Sequence, residues 1–448
     1  MAKKSVHRGR PRKAVGTSLL DASVSRRKFL QQMVVVSGGL VAASCLPGSG
    51  GGANVAKSVT INYWYWVDSP EIGQFFQRTI DKFNSSQKTI TVVGNGLANN
   101  ETTRQKIVQT AAAGGGGPDA SFATTDWLQD FYTGHILEPV QSYFDKWPNK
   151  SDIPTKVVEV HRIKSGQPLL YLPWGAIVDI HYYRKDLYDK AGLSAPATFT
   201  DLVNNAKALT KPGVYGFGMR GADQYGFLFN FVNYLLAEGI VFTDGKGGTG
   251  LDTPEAISFA TGLFQLYWDH IAQASALQDR FPQMVAQFQA GKLAQWGAET
   301  VHGPLLAGAN NEYLPVLGVS IWPKGTTGKA WSTLSTEGNI ILKQSKNKDA
   351  AWEFINFLNQ PDVITDYATV NGTLPVRTSV AAQPGFASKP WNKVSTDSAP
   401  YYGVYPFWHK NWLVFSTTTG VQVWQQGMQK SVSPTNVMKQ LANLMRDI

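Results

Sequence analysis

The sequence predicts an α/β fold of two lobes, and two observations support this. Segments with the β-branched and aromatic content of strands alternate with segments whose apolar residues recur at helical spacing. Such alternation implies parallel strand pairing, with helices covering the sheet. From Ser58 onward, about 400 residues have the composition of a globular protein, which is more than one hydrophobic core usually serves, so two lobes are expected.

The strands and helices follow one another in a regular order. SVTINYWYWVD (58–68) predicts a first strand, and the run from Pro70 to Ser85 predicts a helix after it. The Thr253-Pro254 pair predicts a helix start, because Thr caps the end and Pro fits the first turn. Further segments predict strands at 89–96 and 119–126, helices at 101–113, 127–137, 198–210 and 253–271, a strand running into a helix at 168–193, and two helices at 345–370 meeting at Pro361.

An export signal is predicted at the N-terminus. A basic region ending in Arg26-Arg27-Lys28 precedes an apolar stretch of about ten residues, 33–43, and small residues lead to Cys45. The apolar stretch is shorter than the ~20 residues that cross a bilayer, so a transmembrane anchor is not expected.

The single cysteine of the chain indicates lipidation. Arg26-Arg27 followed by Phe29-Leu30 resembles the twin-arginine export motif, and residues 42–45 resemble a bacterial lipobox in which Cys45 becomes the lipidated first residue. The alternative is an ordinary signal peptide with an incidental cysteine. One cysteine forms no intramolecular disulfide. We therefore predict a Tat-type lipoprotein signal peptide at 1–44 and a flexible Gly/Ser-rich tether at 45–57.

The net charge of +9 belongs mainly to this leader. Residues 1–44 carry nine Lys or Arg side chains and one acid, so the rest of the chain is close to neutral. A basic chain suggests nucleic acid as a partner, but here the excess positive charge lies in a segment removed on export. No nucleic-acid partner is expected.

Motifs of enzymes and cofactor sites are weak or absent. GKGGTG (245–250) fits the dinucleotide pattern, but its glycines precede the helix cap at Thr253 and open no helix, so a hairpin turn is expected. The GGGG run at 114–117 lacks the Lys-Ser/Thr of a phosphate loop, and the seven His are dispersed. We expect no cofactor, no metal ion and no catalytic residues.

The order of several segments resembles that of the extracellular solute-binding proteins of bacterial ABC importers, specifically the family with maltose-type and other oligosaccharide-binding proteins. Each segment is weak alone, but together they span nearly the whole chain after the tether. They are VTINYWYWVD, AAAGGGGPDASFATTDWLQDF, LPWGAIVDIHYYRKDLYDKAGL, VYGFG, DTPEAISFATGLFQLY, QFQAGKLAQWGAE, STEGNIILKQSKNKDAAWEFINFLNQPDV and NGTLPVR.

The resemblance implies a periplasmic-binding-protein-like fold in which two lobes close over a central ligand cleft about a hinge. It places lobe 1 at 58–172 and 332–378, and lobe 2 at 173–331 and 379–448. Gly175, beside Pro173 in a crossing strand, is the expected hinge glycine because glycine tolerates changes of its dihedral angles.

Site residues carried over from the resemblance begin with lobe 1 and the hinge. Trp66 and Asp68 stand just past the first strand, Asp126 lies in the loop after SFATT, and Trp174 lies in the hinge strand. Maltose-type proteins have a carboxylate three residues after this tryptophan. This chain has Ile177 there, which argues against maltose itself.

Lobe 2 supplies four other candidate ligand contacts, and the 332–378 segment of lobe 1 supplies one more, Glu337. Arg220 and Tyr225 lie in RGADQYGFLF, and Trp296 and Glu299 lie in AQWGAE. Glu337, in STEGN, stands where many relatives have Trp or Gly facing the ligand. The mixture suits a carbohydrate, because a sugar's apolar face stacks on aromatic rings while carboxylates accept its hydroxyl protons.

The resemblance implies a monomeric lipoprotein that captures a carbohydrate, expected to be an oligosaccharide, for the permease subunits of an ABC importer. Its place would be the outer side of the cytoplasmic membrane, anchored through Cys45. Two alternatives stay open. One is a glycan-binding receptor for sensing, and the other is a glycoside hydrolase using Asp126 with Glu299 or Glu337.

The export prediction is tested at Cys45. Cys45→Ser is expected to move the protein from the membrane to the soluble envelope fraction or the medium, because the lipid anchor is lost. Arg26→Lys combined with Arg27→Lys is expected to block export of the folded protein. Fractionation followed by immunoblotting measures both, and a Ser variant that stays in the membrane contradicts lipidation.

Overall fold

Ten strands form one open, mixed sheet in the computed structural model, which describes residues 58–446 apart from 68, 160 and 163–165. The central strand order is β2–β1–β3–β8–β5–β6, with β4 and β10 paired to β8 and with β7 and β9 paired to β5. The strands are β1 Val59–Trp66, β2 Ile90–Leu97, β3 Ala120–Thr124, β4 Leu137–Glu138, β5 Leu172–Arg184, β6 Gln295–Glu299, β7 Leu317–Ser320, β8 Ser332–Leu342, β9 Leu374–Pro375 and β10 Tyr402–Gly403.

Helices surround this sheet, and several begin at the predicted caps. Thr253 accepts a hydrogen bond from Ala256 N, and Thr198 forms a capping box with Asp201. The helices are α1 Pro70–Ser86, α2 Asn100–Ala112, α3 Leu128–Thr133, α4 Gln141–Lys146, α5 Thr155–Glu159, α6 Lys185–Ala191, α7 Phe199–Leu209, α8 Gln224–Phe227, α9 Asn233–Glu238, α10 Pro254–Trp268, α11 Phe281–Gln289, α12 Gly303–Ala307, α13 Lys348–Leu358, α14 Pro361–Asn371, α15 Thr378–Ala381, α16 Pro384–Ala387, α17 Pro390–Asp397, α18 Trp412–Thr417, α19 Thr419–Met428 and α20 Pro434–Met445.

Strands β5 and β8 connect the two lobes of this α/β fold. The first half of β5 pairs with β8, and from Asp179 onward β5 pairs with β6 and β7. The second half of β8 pairs with β3 and β4. We call the part built on β1–β4 the first lobe and the part built on β6 and β7 the second lobe. The residue boundaries given above stay a prediction.

The expectation of parallel pairing was right for only part of the sheet. β1 pairs in parallel with β2 and β3, but β8 runs antiparallel to β3 and to β5, and β5 runs antiparallel to β6. The reason is topological. β5 carries the chain toward the second lobe and β8 carries it back, so the two strands lie side by side in opposite directions.

Two further local predictions differ from the structure. The helix expected over 127–137 ends at Thr133, because Gly134 and the left-handed His135 (φ 51°) turn the chain so that Leu137–Glu138 pairs with β8. The 245–250 segment is a closed loop without flanking strands in the described residues: Asp244 accepts hydrogen bonds from Lys246 N and Gly248 N. Helix α10 begins only at Pro254, so these glycines open no helix.

The first lobe is built around a cluster of aromatic rings. Phe75 and Phe76 of α1 pack beneath the sheet against Trp174 of β5 and Tyr367 of α14. All four side chains are at most 1% exposed. The second lobe has its own aromatic cluster, in which Phe231 packs against α10 and α19. Among the described residues, no helix combines the length and apolar character needed to cross a membrane.

Removing Phe75 tests this core. Phe75→Ala is expected to lower the free energy of unfolding by about 3–5 kcal/mol, because the lost ring leaves a cavity that buried neighbours cannot fill. Tyr132→Ala, at a 39% exposed position of α3, is the matched control and is expected to change it by about 0.5 kcal/mol or less. Urea unfolding followed by circular dichroism measures both. Equal losses in the two variants would contradict this description of the core.

Candidate functional site

Asp126 is held at the end of β3 by a short 3₁₀ turn, Thr125–Trp127. The buried Thr125 hydroxyl bonds to Thr336 of β8, which fixes the turn against a crossing strand. Asp126 itself is exposed, yet burial by surrounding protein raises the pKa of its carboxyl to about 6. A side chain that reaches solvent while protein atoms crowd around it is typical of a cleft wall.

Glu299 faces a carboxyl that the sequence reasoning missed. Asp179 of β5 lies directly opposite Glu299 of β6 in the antiparallel register, so the two side chains share one face of the sheet. Asp179 is 3% exposed and accepts hydrogen bonds from Asn233 and from the Tyr405 hydroxyl (3.1 Å). The structure therefore places two acids side by side where β5 enters the second lobe.

The electrostatics bring acids from both lobes together. Burial raises the pKa of Glu299 first, and the negative charge of Asp179 raises it further. The charges of Asp126 and Glu337 act in the same direction, while Arg220 opposes them. Burial also raises the pKa of Asp179, and Asp126 adds to the shift. Asp179, Glu299 and Glu337 are thus largely buried acids that interact with one another, and the exposed Asp126 acts on Asp179 and Glu299 from the first lobe.

Arg220 and Tyr225 lie at the start of α8. The Arg220 guanidinium donates to Asp223 (2.7 and 3.1 Å), which caps this helix, and its carbon lies 5.0 Å from the centre of the Tyr225 ring. The charge of Arg220 is therefore largely matched by Asp223. Tyr225 also lines a concave pocket of about 420 Å³ that extends to Thr418, Gln422 and Gln425.

His302 adjoins the acidic face. Its Nε2 lies 3.7 Å from Glu299 Oε2, and its ring stacks on Phe281 with 3.8 Å between centres. Burial, with a contribution from Arg220, lowers the pKa of His302 to about 3. The ring is therefore neutral at physiological pH, and it does not neutralise Glu299.

Glu337 lies in the middle of β8, opposite Gly175 of β5. It is 8% exposed and accepts hydrogen bonds from the Tyr367 hydroxyl and from Asn371 Nδ2 (2.8 Å). Its register position also pairs it with Thr124, two residues before Asp126. Glu337 thus lies near the predicted site, and its carboxyl is hydrogen-bonded to two side chains of α14.

The three tryptophans predicted to stack on a ligand are buried in this structure. Trp66 stacks on Phe122 (4.2 Å) and is 4% exposed, and Trp174 stacks on Tyr367 (4.2 Å) and is fully buried. Trp296 is 1% exposed and lies beside Phe281. Because strand side chains alternate between faces, these rings point into the lobe cores, and none presents a free ring face here.

Three further predicted positions are Asp68, Cys45 and Ile177. Asp68 and Cys45 lie outside the described residues, so their roles stay predictions. Ile177 has no carboxyl group to offer a ligand. The acid of this strand is Asp179, two residues later. Asp179 could have been identified from the sequence, because it is the one acid in the otherwise apolar and aromatic strand segment GAIVDIHYY.

The crowding of acids has a consequence for stability. Glu299 has a raised pKa in the folded protein, so between its ordinary value of 4.5 and the raised value only the folded state holds the proton, and stability falls as pH rises. Glu299→Gln is expected to raise the free energy of unfolding by on the order of 1 kcal/mol or more at pH 8.5. At pH 5 the gain should largely vanish.

Urea titrations at both pH values measure this difference. Glu353→Gln, on the exposed side of α13, is the control for the same chemical change and should show no dependence on pH. If Glu299→Gln lowered the free energy of unfolding by the same amount at pH 5 and pH 8.5, the raised pKa of Glu299 beside Asp179 would be contradicted.

Comparisons with known proteins give the family. A binding protein of Brucella abortus is 27% identical over 315 residues, which cover 69% of this chain and 74% of the relative. The maltotriose-binding protein of Pyrococcus abyssi is 24% identical over 306 residues, 64% of this chain and 60% of the relative.

The fold is shared with solved structures. An ABC transporter solute-binding protein of Thermotoga lettingae, bound with α-D-tagatose, superposes with a TM-score of 0.73 at 22% identity, covering 87% of this chain and 99% of that one. Residues 66–365 match the family model of the bacterial extracellular solute-binding proteins. The chain belongs to this family of bacterial extracellular solute-binding proteins.

Proposed function

We propose that this protein is the substrate-binding lipoprotein of an ABC importer, which captures a carbohydrate in the cleft between its lobes and delivers it to a membrane permease. The observation that carries this proposal is that the charges of Asp126 in the first lobe and of Arg220 in the second both act on the carboxyl of Glu299. The names of relatives support it, since they include a maltotriose-binding protein and a mannitol-binding protein.

The chemistry of the cleft suits hydroxyl groups. Carboxylates are acceptors with several lone-pair sites, so Asp126 and Glu299 take the hydroxyl protons of a sugar. Tyr225 offers a partly exposed ring for the apolar face of the sugar, and Arg220 lies behind that ring. Closure about β5 and β8 brings both walls onto the ligand. The roles of Trp66, Trp174 and Trp296 become supporting ones, since these rings brace the walls.

The cellular setting extends the proposal. Lipidation of Cys45 anchors the protein at the outer side of the cytoplasmic membrane, and the tether 45–57 lets a monomeric body reach its permease. A sensing receptor of the same fold is the main alternative. Permease genes beside the gene for this chain favour import, while a sensor gene there favours signalling.

The proposed role is binding without catalysis. Members of the family are binding proteins, and two of the four acids, Asp179 and Glu337, accept hydrogen bonds from the protein itself. A hydrolase would cleave oligosaccharides and create new reducing ends. Incubation with maltodextrins and other oligosaccharides should therefore yield none.

Binding is tested with a panel of saccharides. The right saccharide is expected to raise the melting temperature, because it binds the native state selectively, and to bind saturably in calorimetry. Asp126→Asn keeps the shape but removes a charge-assisted hydrogen bond, so affinity should fall by about tenfold, or 1–2 kcal/mol. Glu337→Gln should cost a similar amount or less.

Asp145→Asn, at an exposed position of α4, is the control and should bind as the natural protein does. Polar variants are preferred to Trp66→Ala or Trp296→Ala, since truncating a buried ring destabilises the fold by itself. If amino acids, peptides or metal ions bind while every saccharide is silent, the carbohydrate proposal fails.

A further inference from the structure

We propose that His161 is a positioning residue of the candidate binding site: it takes the hydroxyl proton of Thr336 on β8 and so fixes the turn that presents Asp126 to the cleft. His161 follows helix α5 and is fully buried. The ligand role of Asp126 rests on the proposed function, whereas the position of its carboxyl can be measured without a ligand.

The turn that carries Asp126 is anchored on each side of this residue. Trp127 is 4% exposed, and its ring contacts that of Trp66 with 5.4 Å between centres. Thr125 is 3% exposed, and its hydroxyl meets Thr336 at three atoms. It accepts from the Thr336 amide (3.1 Å) and lies 3.1 Å from the Thr336 carbonyl oxygen and 3.2 Å from the Thr336 hydroxyl. The direction of the Asp126 side chain thus depends on how β8 holds Thr125.

The ring nitrogens of His161 have distinct roles. Nε2 lies 3.0 Å from the Thr336 hydroxyl, and Nδ1 lies within hydrogen-bond distance of the Val157 carbonyl oxygen. Because a carbonyl oxygen only accepts, Nδ1 carries the proton, and Nε2 accepts a hydrogen bond from Thr336. Burial lowers the pKa of His161 to about 4, so the ring is neutral at physiological pH, as this arrangement requires.

The acceptor on His161 decides how the two threonines pair. When the Thr336 hydroxyl donates to His161, Thr125 donates to the Thr336 carbonyl and accepts from the Thr336 amide, so each donor has its own acceptor. Without His161, the Thr336 hydroxyl would compete with the amide for Thr125 Oγ1. A buried donor that lacks a good acceptor is costly, so the turn is expected to shift to relieve the conflict.

The opposite face of β8 is held as well. Side chains alternate between the two faces of a strand, so Glu337 points away from the face that carries Thr336. Its carboxyl accepts hydrogen bonds from two side chains of α14. This stretch of β8 is therefore held from both faces, and it is a fixed reference against which His161 sets the turn.

The first test measures the Asp126 carboxyl without a ligand. Carbon-13 NMR of protein labelled at the aspartate carboxyls, with the resonance assigned by Asp126→Asn, is expected to give the raised pKa of about 6. In His161→Ala and in the nearly isosteric Thr336→Val the turn relaxes toward solvent, so this pKa should fall toward its ordinary value of 3.8. His161→Gln keeps an acceptor and Thr336→Ser keeps the hydroxyl, so both should retain the natural value. Thr435→Val, at an exposed position of α20, is the control.

The second test measures binding in variants whose far-UV circular dichroism matches that of the natural protein. Calorimetry uses the tightest binder from a wide panel of mono- and oligosaccharides that includes glucose, maltose, maltotriose and cellobiose. His161→Ala and Thr336→Val are expected to lower its affinity by about fivefold to tenfold, while His161→Gln and Thr336→Ser should change it by about twofold or less.

Two outcomes overturn the role of His161 and leave the carbohydrate proposal standing. One is a folded Thr336→Val protein in which the pKa of Asp126 and the saccharide affinity are both unchanged. The other is an equal loss in the variants with and without the hydrogen-bonding atoms, since packing alone would then account for it. If no saccharide of the panel binds the natural protein, the carbohydrate proposal fails, and the carboxyl titration alone decides whether His161 positions Asp126.

Discussion

The antiparallel pairing of β5 with β8 is the constraint on which the rest of the structure depends. These strands are the described elements that link the sheet of the first lobe to that of the second, and their register fixes what faces the cleft. Glu337 lies opposite Gly175, where a side chain on the glycine would meet Thr373 at 2.8 Å. The β5–β8 pairing ends at Val178, and the next residue of β5, Asp179, lies opposite Glu299 of β6.

Because that register places the carboxyls of Asp179 and Glu299 side by side, their repulsion costs electrostatic free energy in the folded protein. The acids of the cleft are crowded and weakly solvated, so the ligand-free protein holds protons that it would otherwise lose near neutral pH. Such strain is tolerated because the aromatic cores of the lobes hold the strands in place around it. Under the proposed function, a sugar whose hydroxyl groups donate hydrogen bonds to these carboxyls would relieve part of this cost, and only the native state gains from it.

The sequence predicted much of the fold and less of the site. Local signals, such as the Thr253-Pro254 cap and the apolar spacing after Pro70, depend on nearby residues and were confirmed. The antiparallel direction of β8 depends on a return crossing far along the chain, which no local pattern encodes. Trp174 could not be assigned from its type, because a buried core ring and a ligand-stacking ring have the same sequence signal. Asp179 was visible as an acid in an apolar strand, but its partner Glu299 is 120 residues away.

The most direct measurement is a crystal structure of the protein with the saccharide that binds it most tightly. The account predicts that the saccharide lies between the lobes, with its polar groups within hydrogen-bond distance of the Asp126 and Glu299 carboxyls and with Tyr225 against its apolar face. A saccharide bound elsewhere, with both of these carboxyls untouched in the closed protein, would contradict it.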